Sequence, residues 1–211
     1  GEHGEGLVLC APDKGARPFV TELFERLGLS EAKLVVLDKA RSGERSVDIT
    51  LHPDFADAAE AVAGRDVVLL DDMVRTGSTV VKACRYLRSL QPRRVVFGVT
   101  HFYASDEGRQ KMADGALDEI LTLNTLPTVL NRDVQGRLRR KMVVLKIERW
   151  LARYLADLLG LEGRAKALRE DSLYQIDMSS KNPRFLRKIW SNEQLPELTG
   201  RRLHIHPGEG V

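Results

Sequence analysis

Apolar and polar positions change their spacing in a regular way along the first ~160 residues of the chain. Short apolar runs that end in polar residues, the pattern of strands, alternate with stretches of helical period bounded by Gly or Pro. The predicted strands are GLVLCAPD, KLVVLDKA, DVVLLDD, RRVVFGVTHF, EILTLNT and KMVVLKI. The predicted helices are PFVTELFERLGL, STVVKACRYLRSLQ, SDEGRQKMADG and ERWLARYLADLLG, with HPDFADAAEAVAG helical in part.

The order of these elements predicts an α/β fold, a doubly wound, mainly parallel sheet flanked by helices. Strands that are apolar on both faces are typical of a parallel sheet covered on both sides, and the alternation implies right-handed crossovers. In such sheets ligands bind beyond the carboxyl ends of the strands. The polar residues of interest fall there: Asp13, Lys39, the loop from Asp71 to Thr79, and Thr100-His101.

The composition divides the chain into two segments. Residues 1–160 form the predicted α/β domain, and residues 161–211 are more polar, with Pro, Asn and Ser punctuation. Because the second segment keeps large apolar side chains, we expect a C-terminal extension that packs on the domain or on a partner. These side chains are Tyr174, Phe185, Leu186 and Trp190.

Charge and cysteine content narrow the functional classes only slightly. The 211 residues carry a net charge of +3, which gives no reason to expect nucleic acid as a partner, and 43% hydrophobic residues suffice for a core. Cys10 and Cys84 sit in apolar surroundings and predict buried free thiols, which fits a reducing, cytoplasmic setting. Apolar runs stay short of the ~20 residues that span a bilayer, and the N-terminus is polar, so we expect no membrane partner and no signal peptide.

The stretch DVVLLDDMVRTGSTVVKAC carries the clearest chemistry. Asp71 and Asp72 end an apolar strand, and because ionised carboxylates only accept hydrogen bonds, they can hold ribose hydroxyls or Mg2+. The hydroxyls and backbone N–H groups of residues 76–79, at the start of a helix, suit a phosphate group. The structural alternative is that Asp72 and Thr76 simply cap that helix.

This stretch resembles the phosphoribosyl-pyrophosphate (PRPP) binding loop of type I phosphoribosyltransferase-fold proteins, with four hydrophobic residues, two acids, variable residues and T-G-x-T. Four further segments resemble, in order and spacing, motifs of ribose-phosphate pyrophosphokinases (PRPP synthetases). CAPDKGARP is similar to S-P-D-x-G-G, LVVLDKARS to D-K-R-R, GVTHFYAS to A-T-H-x-x-x-S, and LDEILTLNTLP to L-x-E-V/L-x-x-T-D/N-T-I/L-P. The chain therefore resembles the C-terminal half of that family, over roughly residues 7–160.

The resemblance implies a ribose-phosphate diphosphokinase, or its catalytic C-terminal half, acting in nucleotide biosynthesis. Such an enzyme transfers the diphosphoryl group of ATP to the C1 hydroxyl of ribose 5-phosphate, and it uses Mg2+. By this resemblance Asp13 is associated with the metal, and Lys39 and Arg41 are catalytic residues of a flexible loop. Asp71 and Asp72 would hold the ribose hydroxyls. The residues implied for the 5-phosphate are Arg75, Thr76, Gly77, Ser78 and Thr79.

Three departures from the family pattern leave other functions open. The sequence matches only the second of the family's two halves, so we expect a homo-oligomer or a partner subunit that supplies the missing N-terminal half. Ala16 replaces a family glycine, and Phe19 stands where Arg is usual. Arg75 and Ser78 occupy positions that are commonly Asp and Gly or Ala. The alternatives are a non-catalytic regulatory protein that binds sugar phosphates and a phosphoribosyltransferase that uses PRPP.

Three weaker signals lie outside these motifs. His101 ends a strand beside the predicted site, where a hydrogen-bonded histidine and a ligand contact are equally open interpretations. Trp150 and Tyr154, at helical spacing, predict packing rather than a cofactor contact. The basic run 132–141 predicts a solvated loop, with an anion or nucleotide effector site as the second interpretation.

Overall fold

The computed structural model describes residues 3–41, 47–55, 58–113, 115–161, 163, 174–179 and 186–187. Within these residues one sheet has the strands β1 (Leu7–Ala11), β2 (Lys33–Arg41), β3 (Val47–Leu51), β4 (Asp66–Val74), β5 (Arg94–Phe102), β6 (Glu119–Leu123), β7 (Met142–Lys146), β8 (Tyr174–Asp177) and β9 (Leu186–Arg187). The helices are α1 (Arg17–Leu27), α2 (Ala58–Val62), α3 (Ser78–Ser89), α4 (Asp106–Met112), α5 (Arg132–Gln135) and α6 (Glu148–Leu158). Short 3-10 turns occur at Pro53–Phe55, Pro127–Leu130 and Gly136–Lys141.

The sheet is parallel at its centre and antiparallel at its edges. The strand order is β3-β2-β1-β4-β5-β6-β7-β8-β9. All neighbours from β2 to β7 in this order pair in parallel, which confirms the predicted doubly wound α/β fold. The strands β3, β8 and β9 extend the sheet in antiparallel pairing. Because β4 lies between β1 and β5, its backbone is held by hydrogen bonds on both sides.

Helices cover both faces of the parallel strands. On one face Leu69 of β4 and Phe97 of β5, both fully buried, belong to the same core as Leu87 of α3. On the other face Leu9 of β1 packs with Val20 of α1. Successive residues of a strand point to opposite faces, so the strands predicted to be apolar on both faces feed two separate cores.

Local signals in the sequence set the ends of two helices, α1 and α4. Pro18 lies in the first turn of α1, and Gly28 ends this helix in the left-handed region at φ 59°. Ser105 is the N-cap of α4, and its hydroxyl accepts the backbone N–H of Gly108 at 3.1 Å. These ends agree with the predicted helices because each is specified by a single residue with a strong positional preference.

Two connections differ from the sequence prediction. The strand β3 was not expected, and its antiparallel pairing with β2 turns the end of β2 into a hairpin. Residues 132–141, predicted as a solvated loop, form α5 and a 3-10 turn instead. Leu138 is buried in the core, and the Lys141 ammonium donates to the carbonyl of Leu117 at 2.6 Å. Asn131 also caps α5 through the backbone N–H groups that follow it, so tertiary contacts and a cap outweigh the polar composition of this segment.

The strands β8 and β9 come from the segment predicted to be a C-terminal extension. β8 pairs with β7, and Ile176 and Met178 are buried in the main core. Of the apolar residues expected to pack, Phe185 and Trp190 lie outside the described residues. The boundary at residue 160 and any contact of this segment with a partner stay predictions.

The last long helix, α6, turns much of its apolar surface outward. Ala156 is its buried residue, whereas Trp150 and Tyr154 are each 55% exposed and stack on one another with ring centroids 5.8 Å apart. These two rings therefore pack on each other, and they do so at the surface. Exposed apolar side chains also include Leu151, Leu155, Leu158, Leu159 and Leu161.

Two findings concern the cysteines and the question of a membrane-spanning helix. Cys10 and Cys84 are buried free thiols, as predicted. Burial, with a smaller effect of the neighbouring Cys84, raises the pKa of Cys10 well above its usual range, so Cys10 behaves as an apolar core residue. In the part of the chain that the structure covers, every helix is too short or too polar to cross a membrane.

We expect Phe97→Ala to lower the free energy of unfolding by about 3–5 kcal/mol, because the ring is fully buried between sheet and helix and its loss leaves a cavity. Phe19→Ala is the matched control, since the same atoms are removed from a side chain that is 39% exposed, and we expect a change below about 1 kcal/mol. Urea unfolding followed by circular dichroism measures both. Equal losses for the two variants would contradict the assigned core.

Candidate functional site

The candidate site is built at the carboxyl edge of the sheet, where β4 ends. Asp71 and Asp72 are the sixth and seventh residues of β4, and the chain then turns through residues 75–77 into α3. Asp71 pairs with Val99 of β5 in the sheet register, so the first acid is fixed in position by strand pairing. The predicted arrangement of a strand, two acids, a loop and a helix is therefore present.

Asp71 is partly withdrawn from water and surrounded by other carboxylates. Burial raises its pKa to about 6, and the negative charges of Asp72 and Asp13 add to the shift. The backbone N–H of Asp72, which donates to Oδ1 of Asp71 at 3.0 Å, acts in the opposite direction. Because the charge of Asp13 affects Asp71, the acid that follows β1 and the acid of β4 lie close enough to interact electrostatically.

Asp13 also organises the loop that follows β1. Its Oδ1 accepts the backbone N–H groups of Gly15 at 2.9 Å and Ala16 at 3.1 Å, and Ala16 is the N-cap of α1. This carboxylate therefore fixes the chain entering α1. Among the described residues there is no group of three or more His, Cys, Asp or Glu side chains arranged to hold a metal ion, so Asp13, Asp71 and Asp72 do not form a complete protein cage.

The loop between β4 and α3 leaves the start of the helix open to an anion. Gly77 is the N-cap of α3 and adopts φ 68°, in the left-handed region. Since Gly77 holds this position, neither Asp72 nor Thr76 is the N-cap residue, and the simple capping alternative is wrong. The first N–H groups of a helix have no partner within the helix, and together with the helix dipole they favour a negatively charged group.

The helix α4 supports this loop by direct backbone contact. The backbone N–H of Ser105 donates to the carbonyl of Arg75 at 2.9 Å. A Cβ atom at Gly108 would lie 2.8 Å from that same carbonyl oxygen, and one at Gly77 would lie 2.9 Å from Cγ of Met112. These distances are too short for a side chain, so two glycines allow the loop and α4 to meet closely.

His101 projects from the end of β5 with a defined hydrogen bond. Its Nδ1 lies 3.0 Å from Oγ1 of Thr125, and that hydroxyl lies 3.1 Å from the carbonyl oxygen of Thr100. Because a carbonyl only accepts, the threonine hydroxyl donates to it and accepts from Nδ1–H of His101. Nε2 of the neutral ring is then the nitrogen with a lone pair. Both interpretations of His101 remain open, since a hydrogen-bonded histidine can also contact a ligand.

Lys39 and Arg41 are placed differently from the expectation of a flexible loop. Their backbones belong to β2 and pair with Ile49 and Val47 of β3. The side chains of both lie outside the described residues. Just before them, Asp38 binds the Lys14 ammonium at 2.9 Å, which links β2 to the loop of Asp13. The catalytic roles of Lys39 and Arg41 stay predictions.

Two basic residues near the site escape sequence reasoning. Lys14 follows Asp13 directly and pairs across to β2, and Lys111 of α4 donates to Oγ of Ser78 at 3.2 Å. The signal for Lys111 is only its spacing from Glu107, with which it forms an i,i+4 ion pair at 2.7 Å. No local pattern indicates that α4 lies against the loop before α3.

Comparison with known proteins agrees with this geometry. The chain belongs to the phosphoribosyl transferase domain family, which matches residues 2–129. The ribose-phosphate pyrophosphokinase of Thermococcus kodakarensis is 36% identical over 129 residues, covering 61% of this chain and 42% of the relative. That of Corynebacterium efficiens is 31% identical over 152 residues, covering 72% and 43%.

A solved structure gives the same result. The phosphoribosylpyrophosphate synthetase from Mycobacterium smegmatis matches with a TM-score of 0.58 and 26% identity, covering 75% of this chain and 47% of that chain. These comparisons confirm the resemblance to PRPP synthetases and the type I phosphoribosyltransferase fold. The chain spans less than half the length of these relatives.

We expect Asp71→Asn to stabilise the protein without ligand, and to do so more at pH 7.5 than at pH 5. The pKa of Asp71 is about 6 in the folded state against a usual value of 3.8. The folded state therefore binds more protons than the unfolded state between these values, and stability falls as the pH rises toward 6. Asparagine does not ionise and therefore avoids this loss of stability. After allowance for solvent screening, the stabilisation by Asp71→Asn is about 1 kcal/mol larger at pH 7.5 than at pH 5.

Urea unfolding at the two pH values measures this difference. Glu31→Gln, at an exposed carboxylate between α1 and β2, is the control and should give no pH-dependent gain. A gain from Asp71→Asn that is equal at pH 5 and pH 7.5 would show that the carboxyl group ionises normally.

Proposed function

We propose that this chain is the catalytic C-terminal half of a ribose-phosphate diphosphokinase (PRPP synthetase), which transfers the diphosphoryl group of ATP to the C1 hydroxyl of ribose 5-phosphate. One observation carries the proposal: β4 carries two adjacent carboxylates near its end, shortly before a helix whose N-cap residue, Gly77, provides no side-chain cap. A sugar phosphate likewise carries hydroxyls on its ring and a phosphate at one end. The curated relatives with this name support the assignment.

Ribose 5-phosphate binds with its two ends on different parts of the loop. Asp71 and Asp72 accept the hydrogen bonds of the ribose hydroxyls. The phosphate lies at the start of α3, with donors from Arg75, Thr76, Gly77, Ser78 and Thr79. The open N-terminus of α3 supports this placement, because backbone N–H groups and the dipole favour an anion.

Mg2+ is compatible with the carboxylates at this edge. The ion commonly takes one or two protein carboxylates, and substrate phosphates and water complete its shell. The absence of a three-residue metal cluster among the described residues fits such a site better than a structural metal. Asp13, whose charge reaches Asp71, would hold the ion, which would supply positive charge to the phosphates of the substrates.

Lys39 and Arg41 supply positive charge to the transferring group. The hairpin of β2 and β3 continues the sheet beside β1, the strand that carries Asp13. Cations aimed at the developing charge of a phosphoryl group lower the barrier to its transfer. The ion pair between Lys14 and Asp38 supports this role, since it ties the base of the hairpin to the loop after β1.

The second candidate function is sugar-phosphate binding without turnover. It is favoured by the loop after Asp13, where Ala16, the N-cap of α1, replaces a family glycine. A protein that carries the ribose 5-phosphate site but lacks other ATP contacts would bind and not react. A phosphoribosyltransferase is distinguished from both, because it consumes PRPP and does not need ATP.

The chain works in an assembly in the reducing cytoplasm, either as a homo-oligomer or with a polypeptide that supplies the other half of the relatives' length. The outward apolar face of α6 supports the assembly, because contiguous exposed apolar surface is typical of interaction sites. The buried free thiols support the compartment.

The direct test is formation of PRPP from ATP, Mg2+ and ribose 5-phosphate by the longest native gene product. We expect Lys39→Ala to lower kcat by roughly 100-fold or more, because one preorganised cation is lost from the transition state. Glu22→Gln, on the exposed surface of α1, should leave the rate unchanged. Unaltered turnover in Lys39→Ala would overturn the mechanism, binding of ribose 5-phosphate without turnover would favour the second candidate, and PRPP consumption would favour the transferase.

We expect Leu158→Glu to lower the mass of the native assembly. Leu158 is 68% exposed on α6, and burial of a charge at an interface costs several kcal/mol. Light scattering after size exclusion measures the mass, and Glu25→Gln on α1 is a surface control. An assembly that keeps its mass in Leu158→Glu would exclude this face from the interface.

A further inference from the structure

Lys111 belongs to α4, but its side chain lies beside the first residue of α3, which follows the turn of residues 75–77. Its Nζ atom is 3.2 Å from Oγ of Ser78, the first residue of α3. It is also 2.7 Å from Oε1 of Glu107, one turn earlier on α4. The ion pair lowers the pKa of Glu107, so this carboxylate stays ionised near neutral pH and holds the ammonium in place.

The packing of α4 gives this contact a fixed geometry. The carbonyl of Arg75 accepts the N–H of Ser105 at 2.9 Å, and the space for a side chain at Gly108 is occupied by that carbonyl. Gly77 in turn leaves no room for a Cβ beside Met112. The helix that carries Lys111 therefore cannot move away from the loop without losing several contacts.

The chemistry of the two groups sets the direction of the hydrogen bond. An ammonium group can only donate, so Oγ of Ser78 accepts from Lys111. The hydroxyl proton of Ser78 is then available for another acceptor. At the first position of α3, that acceptor would be an anion at the helix N-terminus, where the dipole and the backbone N–H groups already favour negative charge.

We infer that Lys111 is a positioning residue of the phosphate site, which turns the Ser78 hydroxyl toward the 5-phosphate of the sugar. This inference rests on the proposed binding of ribose 5-phosphate to the loop, and not on the transfer reaction. Lys111 acts through Ser78 and does not itself touch the substrate. The contact joins two elements that are far apart in the sequence, so α4 becomes part of the site's specificity for a phosphorylated sugar.

The test is calorimetric titration of ribose 5-phosphate into the native protein and five variants. We expect Lys111→Met to weaken binding roughly fivefold, the scale of one charge-linked contact at a helix N-terminus. Lys111→Arg, which keeps a charged donor, should retain most of the affinity. In the Ser78→Ala background the further change from Lys111→Met should fall below about twofold, because the residue through which Lys111 acts is gone.

Lys33→Met is the control, since it removes the same charge at the exposed amino end of β2 and should leave the affinity unchanged. Thermal unfolding of each variant separates loss of binding from loss of fold. A fivefold loss that persists in Ser78→Ala would mean that Lys111 acts through its charge alone and would overturn the inference. Equal affinities of the wild type and Lys111→Met for ribose 5-phosphate would also overturn the inference, but they would leave the proposed site intact. If the wild type binds no ribose 5-phosphate, both the site and the inference fail.

Discussion

The structure depends on the position of β4 between β1 and β5 at the centre of a parallel sheet. Pairing with β1 holds β4 from Asp66 to Leu69. Pairing with β5 continues through Asp71 to Val74, and this constraint determines where Asp71 and the start of α3 lie. Fully buried residues such as Leu69 and Phe97 anchor the same strands between the helical layers. The candidate site is thus a consequence of the sheet, since its acids and its loop have little freedom to move independently of the core.

The fixed position of Asp71 also lowers the stability of the protein when no ligand is bound. Burial and neighbouring acids raise the pKa of Asp71, so the ionised group that suits a ligand is the group that the fold tolerates poorly. A bound cation or a set of ribose hydroxyls would relieve that repulsion. Such a conflict between stability and function is common at binding sites. It explains why a carboxylate, Asp71, stands at a half-buried position that favours a neutral residue.

Much of the fold and the centre of the site could be predicted from the sequence. The central strands were predictable because their residues are apolar on both faces, and the helix ends because Pro18, Gly28 and Ser105 act locally. The acids of β4 stood out because polar residues rarely interrupt a buried strand. The hairpin of β2 with β3 was missed, because antiparallel pairing at a sheet edge leaves only a weak pattern in the sequence. The position of Lys111 was not predictable, because its contact with Ser78 depends on the packing of α4.

We propose that the turn between β4 and α3 binds the phosphate of a sugar phosphate. Backbone amide NMR of the isotope-labelled protein during titration with ribose 5-phosphate tests it most directly. We expect the largest chemical-shift changes on the amides of residues 76–79, with saturation, and we expect unphosphorylated ribose at the same concentrations to leave these amides unchanged. Shift changes confined to other elements, or equal changes with ribose, would show that this turn does not bind the phosphate.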